Sequence, residues 1–356
     1  MRHSMATVAT GIRLGTSESP DAAGTPAQRA VARAPDGTAW AVFPDAPGGA
    51  LRCFRSPPGS GWDAAYESET LAPVYDASIA IDEEGYADLV YAGEGPRYLY
   101  YRKGEPVEGG WKWSIRVRVF DVPLLASANA VAHAERDEWR IHVVWSRGWE
   151  FSSAYYNSFT IDPEREIWLG TRDRIAGPFD QPGDPAPSLD MDRESKRLWA
   201  AMWGGSEGAV VTDAVYYNGR WKWAAAPRPL SPGRPAHEGS VSAVWLGDSL
   251  AVTYGSEDEL VCGTTAGVEA RAAADCSRTS AGVDEAGTLH VFYRGSRPGR
   301  LYHRSLASGG LSEAEEVHPG PVTSFSAEQH GAEGVAVLVA AGAEPPYEVE
   351  LVSVTS

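Results

Sequence analysis

"EAGTLHVFY" (Glu285–Tyr293) reads as a tight turn followed by an apolar strand that closes on an aromatic ring. The same reading recurs in "PDGTAWAVF" (Pro35–Phe43), "EEGYADLVY" (Glu83–Tyr91), "RDEWRIHVVW" (Arg136–Trp145), "ESKRLWAAMW" (Glu194–Trp203), "LGDSLAVTY" (Leu246–Tyr254) and "AEGVAVLVA" (Ala332–Ala340). Seven copies spaced near fifty residues match the period of four-stranded propeller blades.

The remainder of each unit agrees. A small-residue strand precedes each turn, as in "ASIAID", "SVSAVW" and "TSAGVD", and a third strand follows, as in "YLYYRK", "SAYYNS" and "RLYHRS". The spacing predicts an all-β, seven-bladed propeller with blades at about 29–71, 75–122, 126–177, 186–232, 237–276, 277–320 and 321–356. The seventh unit lacks a fourth strand, and an N-terminal strand at about 6–16 stands ready to complete it and close the ring. The segment between that strand and blade one, "SESPDAAGTPAQ", reads as an exposed connector. Trp-Lys-Trp occurs at 111–113 and again at 221–223, two blades apart. Its period-two alternation puts both indoles on one face of an outer strand, where they fill the widening space between blades while Lys112 and Lys222 face water.

Composition fits many short strands: 13 Trp, 15 Tyr, 38 Gly and 25 Pro, with no long helical period. A formal charge of −17 repels phosphate backbones and acidic lipid, so neither nucleic acid nor a membrane is an expected partner. The three cysteines, Cys53, Cys262 and Cys276, form neither a disulfide framework nor a zinc pattern and read as reduced, buried thiols. Asp190 and Asp192 in "SLDMD" are followed by no glycine or bidentate glutamate at calcium-loop spacing. Neither a metal nor another cofactor is expected. The opening "MRHSMATVATGIRLG" has no secretory apolar run, which points to a soluble cytoplasmic protein, or a secreted one if a native leader was removed.

"DEAGTLHVFYRGSRPGRLYHRSLASGGLS" (Asp284–Ser312) and "SIAIDEEGYADLVYAGEGPRYLYYRK" (Ser78–Lys103) resemble the repeat of sialidase-like propellers and of the seven-bladed bacterial propeller lectins that bind fucose and related sugars. The resemblance covers nearly the whole chain and implies the fold. It contains no intact Asp-box and no recognisable arginine cluster with a tyrosine nucleophile, so it does not imply a sialidase.

A ring built for packing repeats its packing residues, and a site breaks the repetition. Ligands of propellers lie at the channel end where first strands begin, and there the loops supply Tyr75, Asp76, Asn129, Asp184, His237, Glu238 and Arg278, joined by Arg147, Trp149 and Arg294 from second-to-third loops. Trp149 beside Arg147 suits stacking on a sugar ring, or folds back over the blade edge. His142 and His290 occupy matching positions and read as structural; His133 and His237 are unmatched.

Two functions from different classes follow, with a third beside them. A lectin-like module would take a carbohydrate or small polar ligand at the channel mouth or between blades, where Arg55, Arg102, Asn157, Asn218 and Arg304 follow their aromatic pairs at matching positions. An enzyme would act by acid/base chemistry through His133, His237, Asp76, Glu238 or Arg278, with Asp76 and Glu238 as a carboxylate pair for glycoside cleavage. A scaffold would hold another protein on a flat face.

Overall fold

The structure, a computed structural model, describes residues 7–355 except 9–10, 26–27, 59, 69–70, 72, 94–97, 108–109, 115, 122–124, 136–137, 148–151, 162–166, 171, 296–298 and 308–309. Seven antiparallel sheets follow one another around a ring. Their first strands, Val31–Arg33, Asp76–Ile81, Leu125–Glu135, Ser188–Asp192, Ser242–Trp245, Arg278–Val283 and Val322–Ala327, line the centre. No α-helix occurs among the described residues, and none is long and apolar enough to cross a membrane.

In blades one, two and six the turns explain why the unit folds back where it does. Asp36 Oδ1 accepts the Thr38 N–H at 2.8 Å, Asp82 Oδ1 accepts that of Tyr86 at 2.8 Å, and Asp284 Oδ1 accepts that of Thr288 at 2.8 Å. Within them Gly37 and Gly287 sit at φ +85° and +77°, where only glycine is free of strain. An aspartate that satisfies the turn backbone and a glycine that permits its hand make this hairpin local, so the period is written into the sequence.

The core is distributed. Among the described residues the buried apolar side chains form seven clusters, one between each pair of neighbouring blades. Trp111 is buried between blades one and two, its ring centroid 3.8 Å from that of Trp40, with Trp113 at 5.6 Å. Trp221 takes the corresponding place between blades three and four, edge-on to His142 at 4.8 Å, and Trp223 lies 5.2 Å from Tyr156. Lys112 and Lys222 are exposed. Trp-Lys-Trp is inter-blade packing in both copies.

The ring closes as the termini predict. Ile12–Ser17 pairs antiparallel with the blade-seven strand Tyr347–Thr355, from Ile12 opposite Leu351 to Ser17 opposite Tyr347, and Thr7–Val8 pairs with its far end. Residues 18–25 and Gln28 depart from expectation. Ser19, Ala22, Ala23 and Gln28 are buried, and Ala23 N–H bonds Ser324 Oγ at 3.1 Å. The small side chains of "DAAG" let this segment pack into the ring instead of passing over it.

A belt of serines stitches the first strands together. Ser188, Ser242, Ser280 and Ser326 hydroxyls accept the N–H groups of Ala243, Ala281, Ala327 and Ala30 in the next blade, at 3.0–3.1 Å. The place that precedes the bonded residue is therefore serine in blades five, six and seven and Arg29 in blade one.

Cys53, Cys262 and Cys276 lie within inter-blade clusters, and burial pushes the thiols of Cys262 and Cys276 up to about 12 and that of Cys53 higher still. A disulfide-exchange reagent such as DTNB should label none of the three in the folded protein and all three in guanidinium; one fast-reacting thiol in the native state would contradict this packing.

Candidate functional site

The upper mouth of the channel, where first strands begin, gathers a set of charges from five parts of the chain. Asp76 opens the blade-two strand, half-buried, and accepts a hydrogen bond from Gln28 Nε2. Burial raises its carboxyl to about 7, against the Gln28 bond, with the neighbouring charges of Asp21 and Asp184 adding to the rise. Asp184 accepts from Ser146 Oγ at 2.6 Å and from Ala186 N–H at 2.9 Å, while its own N–H bonds Glu238 Oε1 at 2.7 Å. Burial also raises the Asp184 carboxyl; Ser146 and Ala186 oppose it, Glu238 adds to the rise and Arg278 opposes. Arg278 reaches to 4.0 Å from Asp21 Oδ1. Asp76, Asp184, Glu238 and Arg278 thus form one electrostatically connected group, which Asp21 and Gln28 join from the segment that runs into the mouth.

Other predicted residues have different settings. Arg294 is committed to structure: it donates to Ser277 Oγ at 3.2 Å and to the Val322 and Thr323 carbonyls at 3.3 and 2.9 Å, fastening blade six to blade seven. Burial, and Arg278 nearby, lower its pKa. Tyr75 packs over the blade-one loop, where Gly48 has φ +76° and a Cβ would lie 2.8 Å from the Tyr75 hydroxyl. Asn129 is fully buried on the blade-three first strand opposite Val144. Arg147 ends the second strand of that blade, opposite Ser153. His237 is exposed, its Nε2 3.3 Å from the Glu257 carbonyl oxygen, and no carboxylate pairs with it among the described residues. His133 lies opposite Arg140 on the blade-three first strand, its side chain outside the described part, and Trp149 lies outside the described residues.

His142 and His290 are fully buried, with Nδ1 2.7 Å from Tyr156 Oη and 3.0 Å from His303 Nε2, respectively. Asp284 lies 3.1 Å from the other ring nitrogen of His290. Burial lowers the pKa of His290, and burial with His290 alongside drives His303 to about 3. These rings fasten second strands to third strands, and those of His290 and His303 are neutral at pH 7. The matching-position set is less regular than its spacing implies: Asn157 is buried and accepts the Trp145 indole N–H at 2.9 Å, whereas Asn218 sits at φ +50° in a turn.

Below the upper mouth the channel is crossed by Arg29. Its guanidinium, 2% exposed, donates to Ser188 Oγ at 3.3 Å and to the Ala243 carbonyl at 2.8 Å, in the blades across the ring. Burial lowers its pKa to about 10 and Asp190 partly restores it, so it stays charged at neutral pH. Under it, Asp190 Oδ2 lies 3.1 Å from His330 Nε2 and accepts the Trp245 N–H at 2.6 Å. Burial alone would raise the Asp190 carboxyl, but His330 and the Trp245 and Met191 N–H groups hold it below the usual range. Gln329 Nε2 donates to the Leu189 carbonyl at 3.0 Å. Sequence reasoning missed Arg29, Gln329 and His330; the visible signal was an arginine where the other first strands carry small residues. Among the described residues no group of three or more His, Cys, Asp and Glu is placed to hold a metal ion.

No protein-family model and no curated protein matches the chain. Solved structures do. A chain from the crystal structure of BBS1N in complex with ARL6DN has a TM-score of 0.56 at 13% identity, over 98% of this chain and 98% of that one. AofleA from Arthrobotrys oligospora has a TM-score of 0.51 at 12% identity, over 87% and 90%. The Aleuria aurantia lectin in complex with alpha-methyl-L-fucoside has a TM-score of 0.49 at 13% identity, over 81% and 93%. At such identities a likeness speaks for the fold alone, and the fold it speaks for is the seven-bladed propeller traced by the strands themselves.

Proposed function

We propose that this propeller binds a carbohydrate or another small polar molecule at its upper mouth. The observation that supports the reading is convergence: side chains that break the sevenfold repetition, Asp76, Asp184, Glu238 and Arg278, meet in one connected group instead of being spread evenly over seven blades. Such a set suits neighbouring hydroxyls, because the carboxylates accept, the guanidinium donates, and Asp76, titrating near neutrality, does either. Its position at the end of the channel favours one ligand per ring over several shallow sites between blades.

A glycan array followed by calorimetry tests this. Asp76→Asn and Arg278→Ala should each weaken the best ligand at least tenfold, with little change in melting temperature, since both side chains face the mouth. An array without binders, or binding that both variants retain, would remove the reading.

The second reading is an enzyme. Asp76 and Asp184 share a mouth, and Asp76, raised to about 7, suits the part of a general acid. Release of reducing sugar from the glycan that binds would move the function to hydrolysis, and a protein that co-purifies where no glycan binds would move it to a scaffold.

A further inference from the structure

The opposite end of the channel holds a cavity of about 120 Å³ that the upper-mouth reading does not use. Arg29 separates the two ends, because its buried guanidinium spans from blade one to blades four and five. We propose that this lower cavity is a second binding site, for a small organic carboxylate.

Charge is the first ground. Among the described residues the cavity wall carries three arginines, Arg29, Arg33 and Arg193, against Asp190 and Glu328, with Glu83 on the rim as a third carboxylate. Arg33 and Glu328 cancel through two bonds at 2.8 and 3.0 Å, Arg29 faces Asp190, and Arg193 is left with the rim residue Glu83. A carboxylate that takes the place of Glu83 at Arg193 keeps this balance.

Access is the second. Arg193 is held by Glu83 at 2.9 Å, and both side chains are more than half exposed, a pair that an incoming carboxylate displaces at little cost. The His330 side chain is 50% exposed, and Asp190 behind it fixes its ring. Arg193 presents donors to the cavity, whereas His330 Nε2, Gln329 and Asp190 are already engaged with the protein.

Shape and polarity are the third. Val31, Ile79, Ile81 and Val131 form an apolar wall on the side of blades one to three. Phosphate would bring more charge than Glu83 gives up, and would leave that wall in contact with nothing apolar. A sugar would find few polar groups without protein partners. A cavity somewhat smaller than the roughly 150 Å³ that accommodates benzene takes about five or six heavy atoms. A carboxylate on a chain of three to five carbons meets all of these conditions, with its head at Arg193 and its tail on the valines and isoleucines.

The test is calorimetry at low salt with acetate, butyrate, butyramide and inorganic phosphate. Butyrate should bind, acetate several-fold more weakly, and neutral butyramide and phosphate should give no measurable heat. Arg193→Ala, on the exposed rim, should weaken butyrate at least tenfold. Asp76→Asn, at the other mouth, should leave butyrate affinity unchanged, which separates this site from the proposed glycan site. Equal binding of butyrate and butyramide, tighter binding of phosphate, or full affinity in Arg193→Ala would each overturn the proposal.

Discussion

Removing residues 1–17 should abolish the single cooperative melt of this protein, and supplying residues 7–19 as a peptide should restore it. Ile12–Ser17 is the outer strand of blade seven, and without it the nine-residue strand Tyr347–Thr355 becomes an open edge. The loss extends further, because the same segment ties blade seven to blade one. Ser17 Oγ bonds the Pro44 carbonyl at 2.7 Å, and Leu14 packs against the cluster of Phe43, Phe54, Leu338 and Leu351. About six ladder hydrogen bonds at roughly 1 kcal/mol net, with one partly buried leucine, come to about 5 kcal/mol or more. Domains have about 5–15 kcal/mol in total, so an opened ring sits near the threshold of unfolding. Calorimetry and light scattering check the result: a truncated chain that melts within 2 °C of the full one would show that the wheel does not depend on its clasp.

That clasp was legible in the sequence because it is a matter of counting strands. The blades were legible for a related reason: in blades one, two and six the turn, aspartate cap, glycine and closing aromatic lie within a few residues of one another, so the unit carries its own instructions. The fate of residues 18–25 and Gln28 was not. A stretch rich in Ser, Pro, Ala and Gly has the composition of a solvated loop, and only the space left at the mouth by small first-strand side chains turns it into packed structure that delivers Asp21 and Gln28.

The site was legible in part for the same physical reason. Loops that open first strands must meet at one end of a ring, so topology alone selected Asp76, Asp184, Glu238 and Arg278. Topology does not say which of the selected residues serve the scaffold, and Arg294 and Tyr75 turned out to fasten blades. Contacts across the channel were invisible. Arg29 meets Ser188 and Ala243 at separations of 159 and 214 residues, and Asp190 meets His330 at 140. No local pattern encodes such pairs, and the serine belt that makes Arg29 exceptional emerges only when the strands are placed side by side.

Lys103 is the second residue whose replacement should have a large effect, and its effect should depend on pH. It lies buried between blades two and three, donating to Asp82 Oδ2 at 2.7 Å, 3.5 Å from Asp88 Oδ1, with its ammonium 5.0 and 5.5 Å from the Tyr86 and Trp139 ring centroids. Burial raises the Asp88 carboxyl from 3.8 to about 6, against the pull of Lys103; Asp82 adds to the rise and the Tyr101 hydroxyl, bonded at 2.7 Å, opposes it. A carboxyl with a raised folded-state pKa favours folding below its unfolded value, and that contribution is lost as pH rises through about 6. In Lys103→Met the counter-charge disappears, the Asp88 pKa climbs further, and two carboxylates are left buried without a cation. The expected penalty is about 3–5 kcal/mol at pH 8 and markedly less at pH 5, where Asp88 takes up a proton. Adding Asp82→Asn and Asp88→Asn to Lys103→Met should recover most of the loss, because removing all members of a buried charge set is far less costly than removing one. Urea titrations followed by tryptophan fluorescence at the two pH values decide the matter: a penalty below about 1 kcal/mol, or one that does not change with pH, would mean that water already screens this pair and that burial between the blades is less complete than the packing around Lys103 requires.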